Sequence, residues 1–379
     1  MFAIWWFVDP ARAFPSALAV LVVTCPCALS LATPAAIAAA TAALARRGVL
    51  VAHSDALETL AKATHVLWDK TGTLTRGLVR VEEVRPLAGA AADECLLWAV
   101  ALERMSEHPI ARAFLASATG DAVAGEVRVV AGQGLEGTVD GRRLRIGEPA
   151  FAAALAPDAA VPAGLDGESW VCLGSDEGLL AAFRLTDQLR PEAGACVARL
   201  AQLGLPSEIA SGDEASAVAR IAERTGIGAF AARLRPEQKL ARLQALQAGG
   251  AVVVAVGDGI NDAPLLRGAD VAVAMGEGSA LAQTSADLIL VRDSLDELPG
   301  TIELARRTQR IVRQNLAWSI GYNLAALPLA AFGLVPPWLA AIGMSLSSVA
   351  VVLNAMRLAR SPADPQGRTW RTPRAAEVA

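Results

Sequence analysis

The sequence predicts an α/β fold built on a parallel sheet, interrupted by a smaller α+β domain and joined to helices that cross a membrane. Three observations predict it. Short apolar strands alternate with amphipathic helices between about residues 46 and 303, the pattern of βαβ units. Two of those strands end on carboxylates, at Asp69 and Asp258, where open α/β sheets bind ligands. Finally, apolar stretches near both ends of the chain reach the roughly 20 residues that a hydrocarbon core requires, in a chain that is 54% hydrophobic with mean hydropathy +0.40.

Residues 1–8 are apolar but too short to span, and read as the end of a longer membrane helix. The spans follow at 14–45, 309–334 and 337–358. Arg46 and Arg47 follow the first span, Arg306, Arg307, Arg310 and Arg313 precede the second, and Arg357 and Arg360 follow the third. The positive-inside rule therefore assigns the central segment to the cytoplasm. That segment divides into 46–77 and 184–303, carrying the strand-end carboxylates, and an insertion at 78–183 with a helix-like run at 91–118 and a Gly-punctuated β-like run at 127–146. The tail at 361–379 reads as disordered. A net charge of −4 with basic residues gathered at membrane edges excludes nucleic acid as a partner. No obligate protein partner is evident.

Asp69-Lys70-Thr71-Gly72-Thr73-Leu74-Thr75 is the most specific string. A strand-end carboxylate can attack a γ-phosphate while a tight loop holds the phosphate oxygens. Phosphoryl transfer also needs a metal and cations, and Asp258 suits Mg²⁺ while Lys239 and Ser211, beside Gly212, suit the phosphate. Asp213 has an alternative reading as a helix cap, and Asp187 with Arg190 as a helix start. Pro206–Ala210 is a weak strand, predicting a poorly positioned Ser211 loop. Cys25-Pro26-Cys27 lies inside the first span: Pro26 removes a backbone hydrogen bond, so local unwinding can turn both sulfurs to one cavity. Thiolates favour soft ions; the alternative is two buried cysteines packed as small apolar groups.

These strings together resemble the heavy-metal P-type ATPases of the Cu(I) type, and several further expectations follow from that resemblance alone. The fold is a HAD-like, Rossmannoid phosphorylation domain with an inserted nucleotide-binding domain. Asp69 is phosphorylated, Lys70 belongs to the same loop, Thr71 gives a carbonyl to Mg²⁺, and Asn261 and Asp262 complete the surrounding network. Glu107 and His108, with Gly132 and Gly134, match the nucleotide-binding pair of motifs, and Asp187 lies where the hinge re-enters the phosphorylation domain. Asn315, Tyr322, Asn323, Met344 and Ser348 accompany Cys25 and Cys27 around Cu(I) or Ag(I); for Ser345 and Ser347 helix packing is preferred. ATP and Mg²⁺ are the cofactors, Cu(I) the cargo, membrane lipid the surroundings and a copper chaperone the donor. The location is a bacterial inner (cell) membrane, multi-pass, with the catalytic loop cytoplasmic.

Phosphatases of the same superfamily carry a second Asp two residues after the nucleophile as general acid/base, where this chain has Thr71. The resemblance covers the second half of the family pattern, so the chain reads as a truncated part of a pump without the earlier helices or the actuator domain. Two other readings stay open: a nucleotide- and metal-binding fragment that does not transport, and a membrane-anchored HAD phosphohydrolase.

Overall fold

The computed structural model describes residues 1–87, 89–106, 108–117, 120, 122–156, 160–165, 170–258, 262–276 and 278–359. Glu107, Asn261 and the tail at 361–379 lie outside the described residues. The chain forms two compact units, the first made of Met1–Thr64, Asp270–Gly276 and Ala286–Ala379, the second of His65–Ala269 and Glu277–Ser285. The expected segment 184–303 is thus shared between them.

The first unit is helical with a small sheet. A short helix, Phe2–Val8, turns at Asp9 into the helix Pro10–Val23, whose start is set by Pro10 in its first turn and by Asp9 accepting from Ala11 N–H. This helix stops short of Pro26, and a new one runs from Cys27 to Arg46. Leu288–Leu290 pairs parallel with Val271–Met275 on one side and antiparallel with Val49–Val51 on the other. The last two helices are Glu297–Ala331 and Pro337–Met356. The expected boundary between a soluble segment ending at 303 and a span starting at 309 does not interrupt the backbone: one helix covers both.

Small residues line the helix contacts. Ala19 and Val23 pack with Ala330 and Ala340, and Ala28 and Ala32 with Val351, which lets the backbones approach closely. Pro10–Arg46 and Pro337–Met356 are long and apolar enough to cross a membrane. Polar Asn315, Tyr322 and Asn323 lower the apolarity of the stretch between them, yet it turns Trp318, Ile320 and Leu324 outward as exposed apolar side chains.

The second unit holds four parallel strands in the order Val253–Gly257, His65–Trp68, Ser207–Ala210 and Ala229–Ala231. The helices Ala193–Gln202, Ala215–Thr225, Pro236–Ala248 and Ala263–Gly268 connect and flank them. Val253 to Val256, Leu67, Trp68 and Ile209 are fully buried, as central parallel strands covered on both faces should be. Ser207–Ala210, weak by composition, is a complete strand between two neighbours; its Glu208 is held by Arg242 at 2.6 and 3.0 Å. The expectation of a poorly positioned loop after it is therefore corrected.

Within the same unit, six antiparallel strands form a separate sheet ordered Thr75–Pro86, Gly178–Leu189, Trp170–Ser175, Arg142–Gly147, Gly134–Val139 and Ala124–Val130. Ala92–Glu103 and Pro109–Leu115 cover one face through Trp98, Leu102 and Phe114, the last meeting Phe183 edge-on at 5.0 Å. The helix-like run is thus two helices, and the β-like run is three strands.

Candidate functional site

Asp69 follows directly on the strand His65–Trp68, its N–H donating to Val256 O at 2.9 Å, and its carboxylate is buried at 4% exposure. The chain then bends through Gly72 at φ +70°; a Cβ there would lie 1.5 Å from Asp258 Oδ2, so only glycine lets the loop pass that carboxylate. Arg190 donates to the Gly72 carbonyl at 3.0 Å and, through its N–H, to Leu74 O at 2.9 Å. Thr75 donates to Lys70 O at 3.0 Å and also bonds to the Asp187 carboxylate. The loop is therefore held in shape from three sides.

Lys239 lies on the helix Pro236–Ala248 and is 7% exposed. Its ammonium donates to Asp69 Oδ1 at 2.5 Å and to Asp262 Oδ1 at 2.8 Å. Oxygens of Asp69, Asp258 and Asp262 lie within 4.8 Å of one another, so the ammonium bridges two carboxylates of a cluster of three. Burial pushes Asp69 up to about 7, with Asp262 adding to the rise and Lys239 opposing it. Burial and then Asp262 push Asp258 up to about 6. Burial would lower Lys239, but the charges of Asp69 and Asp262 hold it above its ordinary range. The shared causes are burial first and then negative charge in excess. Hard oxygen donors around such an excess suit a divalent ion of the Mg²⁺ kind. Asp262, expected only in the surroundings, is a member of this group. The Thr71 hydroxyl instead donates to Asp213 Oδ2 at 3.4 Å, leaving to the metal only the carbonyl that the resemblance assigns.

Ser211 follows the strand Ser207–Ala210 beside the Asp69 strand, is 2% exposed, and is fixed by its N–H to Ala231 O at 2.9 Å. Its Oγ accepts from Asp213 N–H at 3.2 Å across Gly212. Two alternatives from the sequence are corrected. Asp213 is no helix cap: Glu214 holds that position, and the Asp213 carboxylate pairs with Lys70. Asp187 starts no helix: it lies in the strand Gly178–Leu189, bonded to Thr75, with burial raising its carboxyl above the ordinary range.

A cavity of ≈ 320 Å³ opens beside the antiparallel sheet, lined by Glu103, Ser106, His108, Gly132, Gly134, Ile146 and Trp170 among others. His108 accepts from Ile110 N–H at Nδ1, 3.3 Å, capping the helix that Pro109 begins; a neutral ring bonded this way carries its proton on Nε2. Gly134 lines this cavity and is also required by its neighbours. At φ +150°, a Cβ would stand 2.1 Å from Ile146 O, so glycine is what allows the adjacent strand so close. The sequence reading missed Glu103, which ends the helix Ala92–Glu103 against this cavity. Burial pushes its carboxyl up to about 7, with the Ser106 hydroxyl opposing. The available signal was an acid closing the apolar stretch from Cys95 to Leu102 just before the His108 motif.

In the first unit, Thr24 to Pro26 interrupts the helix, and Cys25 and Cys27 come together there with Cα atoms 5.5 Å apart. The sulfurs share one side, as Pro26 predicts, but they are joined in a disulfide where two thiolates were expected; a break in the helix brings them within bonding reach. Asn315 is buried: it donates to Ala32 O and Val351 O at 3.4 Å each and accepts from Asn354 at 2.9 Å. Ser348 donates to Met344 O at 3.2 Å, and Ser347 accepts from Trp318 at 3.1 Å. Tyr322 lies against Gly343, next to Met344; Asn323 and Met344 are half-buried. Among the described residues, no hydrogen bond joins Asn315, Tyr322, Asn323 or Ser348 to either cysteine.

Residues 63–270 match the haloacid dehalogenase-like hydrolase family. A copper-exporting P-type ATPase of Mycobacterium leprae is 39% identical over 364 residues, covering 94% of this chain and 47% of that protein. A cation-transporting P-type ATPase B of Mycobacterium bovis is 41% identical over 368 residues, 93% of this chain and 49% of its own length. Among solved structures, a zinc-transporting PIB-type ATPase in its E2.Pi state superposes with a TM-score of 0.83 at 35% identity, covering 93% of this chain and 59% of that one. The chain spans about half the length of the curated relatives it matches. A strand-end Asp in a fixed loop, a buried Lys bridging two carboxylates and likeness along nearly the whole chain lead to one assignment: the chain belongs to the haloacid dehalogenase-like hydrolases and, within them, to the heavy-metal P-type ATPases.

Proposed function

We propose that this chain is the phosphorylated, ion-conducting half of an ATP-driven exporter of Cu(I), with Ag(I) as an equally soft alternative cargo. The observation that carries the reading is the Asp69 carboxylate held 2.5 Å from Lys239 at the end of a parallel strand, with Thr71 standing where a phosphatase has its acid/base. Asp69 attacks the γ-phosphorus of ATP; an Asp69 Oδ–P bond forms, the bond from phosphorus to the bridging oxygen breaks, and ADP leaves with that electron pair. Lys239 and Lys70 offset the charge of the approaching phosphate, and Ser211 offers a hydroxyl to its oxygens. Asp69, Asp258 and the Thr71 carbonyl, with Asp262 beside them, would hold a Mg²⁺, which would supply charge neutralisation between nucleophile and phosphate. Burial of Asp69 keeps water from the acyl phosphate, and Thr71 has no acid/base function with which to hydrolyse it.

The choice of a soft monovalent ion rests on Cys25 and Cys27 at the helix break, once reduced by two electrons and two protons to thiols. The absence of Asp, Glu and Lys from 315–334 and 337–358 agrees with it. The multi-pass inner-membrane topology, with 309–334 as a further span and the second unit cytoplasmic, belongs to the same proposal. The test is ATPase activity of the full-length protein carrying this chain, across a metal panel under reducing conditions. Stimulation by Cu(I) and Ag(I) is expected. Equal stimulation by Zn²⁺ with none by Cu(I) would defeat the assignment of the ion.

The half-length match to the curated relatives favours a second reading, in which this chain alone binds nucleotide and metal without transporting. Vesicles containing only this chain distinguish the two: uptake of Cu(I) driven by ATP excludes the fragment reading.

A further inference from the structure

A second cavity in the unit that carries Asp69, ≈ 330 Å³, is lined by Lys70, Thr71, Asp187, Asp213, Glu214 and Arg220 among others. Ile110 lines this cavity and the one beside His108. The two spaces therefore adjoin, and together they run from the His108 and Gly134 walls to the phosphorylation loop. A nucleotide with its base in the first would lay its phosphates through the second.

The charged groups of that passage are nearly all committed. Lys70 pairs with Asp213, Glu214 with Arg233 at 3.7 Å, and Asp187 with the Thr75 hydroxyl. Deeper in, Lys239 is shared by Asp69 and Asp262, and Arg190 donates to the Gly72 carbonyl. Arg220 differs: it lines the passage, is half-buried, and has no hydrogen bond or ion pair among the described residues. Its helix, Ala215–Thr225, is anchored by buried Val218, Ile221 and Ala222, and turns Ala217, Arg220 and Ile221 toward the passage at spacings of three and four. A guanidinium on a fixed helix, with its donors unspent, is suited to bidentate capture of phosphate oxygens.

We propose that Arg220 binds the polyphosphate of the nucleotide between the base cavity and Asp69, and so sets the preference for nucleoside di- and triphosphates over the nucleoside. This rests on the reading of the chain as an ATP-dependent enzyme. The residue is outside the motifs that identify the family in the sequence, because nothing in Ala217-Val218-Ala219-Arg220-Ile221 distinguishes a ligand-facing arginine from one on a solvated face.

The test is equilibrium binding of ATP, ADP and adenosine to the full chain in detergent micelles, unaltered and as Arg220→Gln and Arg220→Lys. Arg220→Gln is expected to weaken ATP and ADP by about tenfold, the loss of one charge-assisted contact, and to leave adenosine unchanged, while Arg220→Lys recovers part of the loss. Unchanged ATP and ADP affinity in Arg220→Gln would overturn the role of Arg220 alone. Parallel weakening of adenosine would overturn it too, since the base cavity itself would then have moved. An unaltered chain that binds no ATP would overturn the nucleotide reading and this inference with it.

Discussion

Replacing Asp69 by Asn preserves the shape of the side chain and removes its charge, which separates chemistry from packing at a single position. Asp69→Asn is expected to abolish the acid-stable label that γ-labelled ATP leaves on the chain; label retained in that variant would require another nucleophile. The same substitution has a stability consequence whose sign follows from burial. The folded pKa of Asp69, about 7, lies above its ordinary 3.8, so the folded state binds the proton more tightly than the unfolded one. Stability is then greatest below the unfolded value and is lost as pH rises from about 4 through about 7. Without Mg²⁺, Asp69→Asn should flatten that decline and exceed the unaltered chain by about 1–3 kcal/mol at pH 8, measured by thermal unfolding across pH. A variant less stable than the unaltered chain at pH 8 would count against the charge cluster. At this scale the sequence exposed Asp69, Lys239 and Asp258 because their motifs are contiguous strings. The pairing of Lys70 with Asp213 and the place of Glu103 in the cavity wall were hidden, since each depends on a partner or a cavity wall far along the chain.

The elements that position these residues depend on a few local interruptions of regular structure. Pro26 separates Pro10–Val23 from Cys27–Arg46, and Pro26→Ala should restore a continuous helix that turns the two sulfurs apart. Cu(I) affinity, measured by competition with a chelator, is expected to fall by about tenfold or more with the loss of one of two thiolate donors; unchanged affinity would show that the break does not create the site. Gly134→Ala would drive a methyl against Ile146 O, costing about 1–3 kcal/mol of stability and weakening ATP binding through the displaced cavity wall. Chemical denaturation and nucleotide titration check the two effects. The break at Pro26 was legible because proline acts locally. The strand Ser207–Ala210 was legible only as a weak one, and its firm seating was not, because its four residues, with Glu208 among them, are stabilised by neighbouring strands and by Arg242 rather than by their own propensity.

For the molecule as a whole, the proposed function requires that ion binding in the first unit and nucleotide binding in the second influence one another. Linkage then fixes a reciprocal relation: the factor by which Cu(I) changes the affinity for a non-hydrolysable ATP analogue must equal the factor by which the analogue changes Cu(I) affinity. A factor of about 5 to 150 is expected for an allosteric pair, and a factor of one in both directions would leave the two sites independent. Fold class and the order of the motifs were legible at this scale because strand-end carboxylates and long apolar runs are periodic signals. The division into two units was not, because it cuts through the segment 184–303 on contacts that sequence spacing does not record.

The strands Thr75–Pro86 and Gly178–Leu189 pair from Thr75↔Leu189 outward, and their register slips between Thr75 and Val79, where Gly77 has φ +66°. The ribbon that leads to the cavity beside His108 is thus rooted in the residue that bonds the Lys70 carbonyl, and it returns beside Arg190, which bonds the Gly72 carbonyl. Such a ribbon has its root directly after the loop that follows Asp69. Under the proposed function, a tilt of a few degrees at the slipped register would sweep the far strands through a long arc while moving the Asp69 carboxylate very little, so that delivery of a phosphate and retention of the attacking geometry would be mechanically compatible.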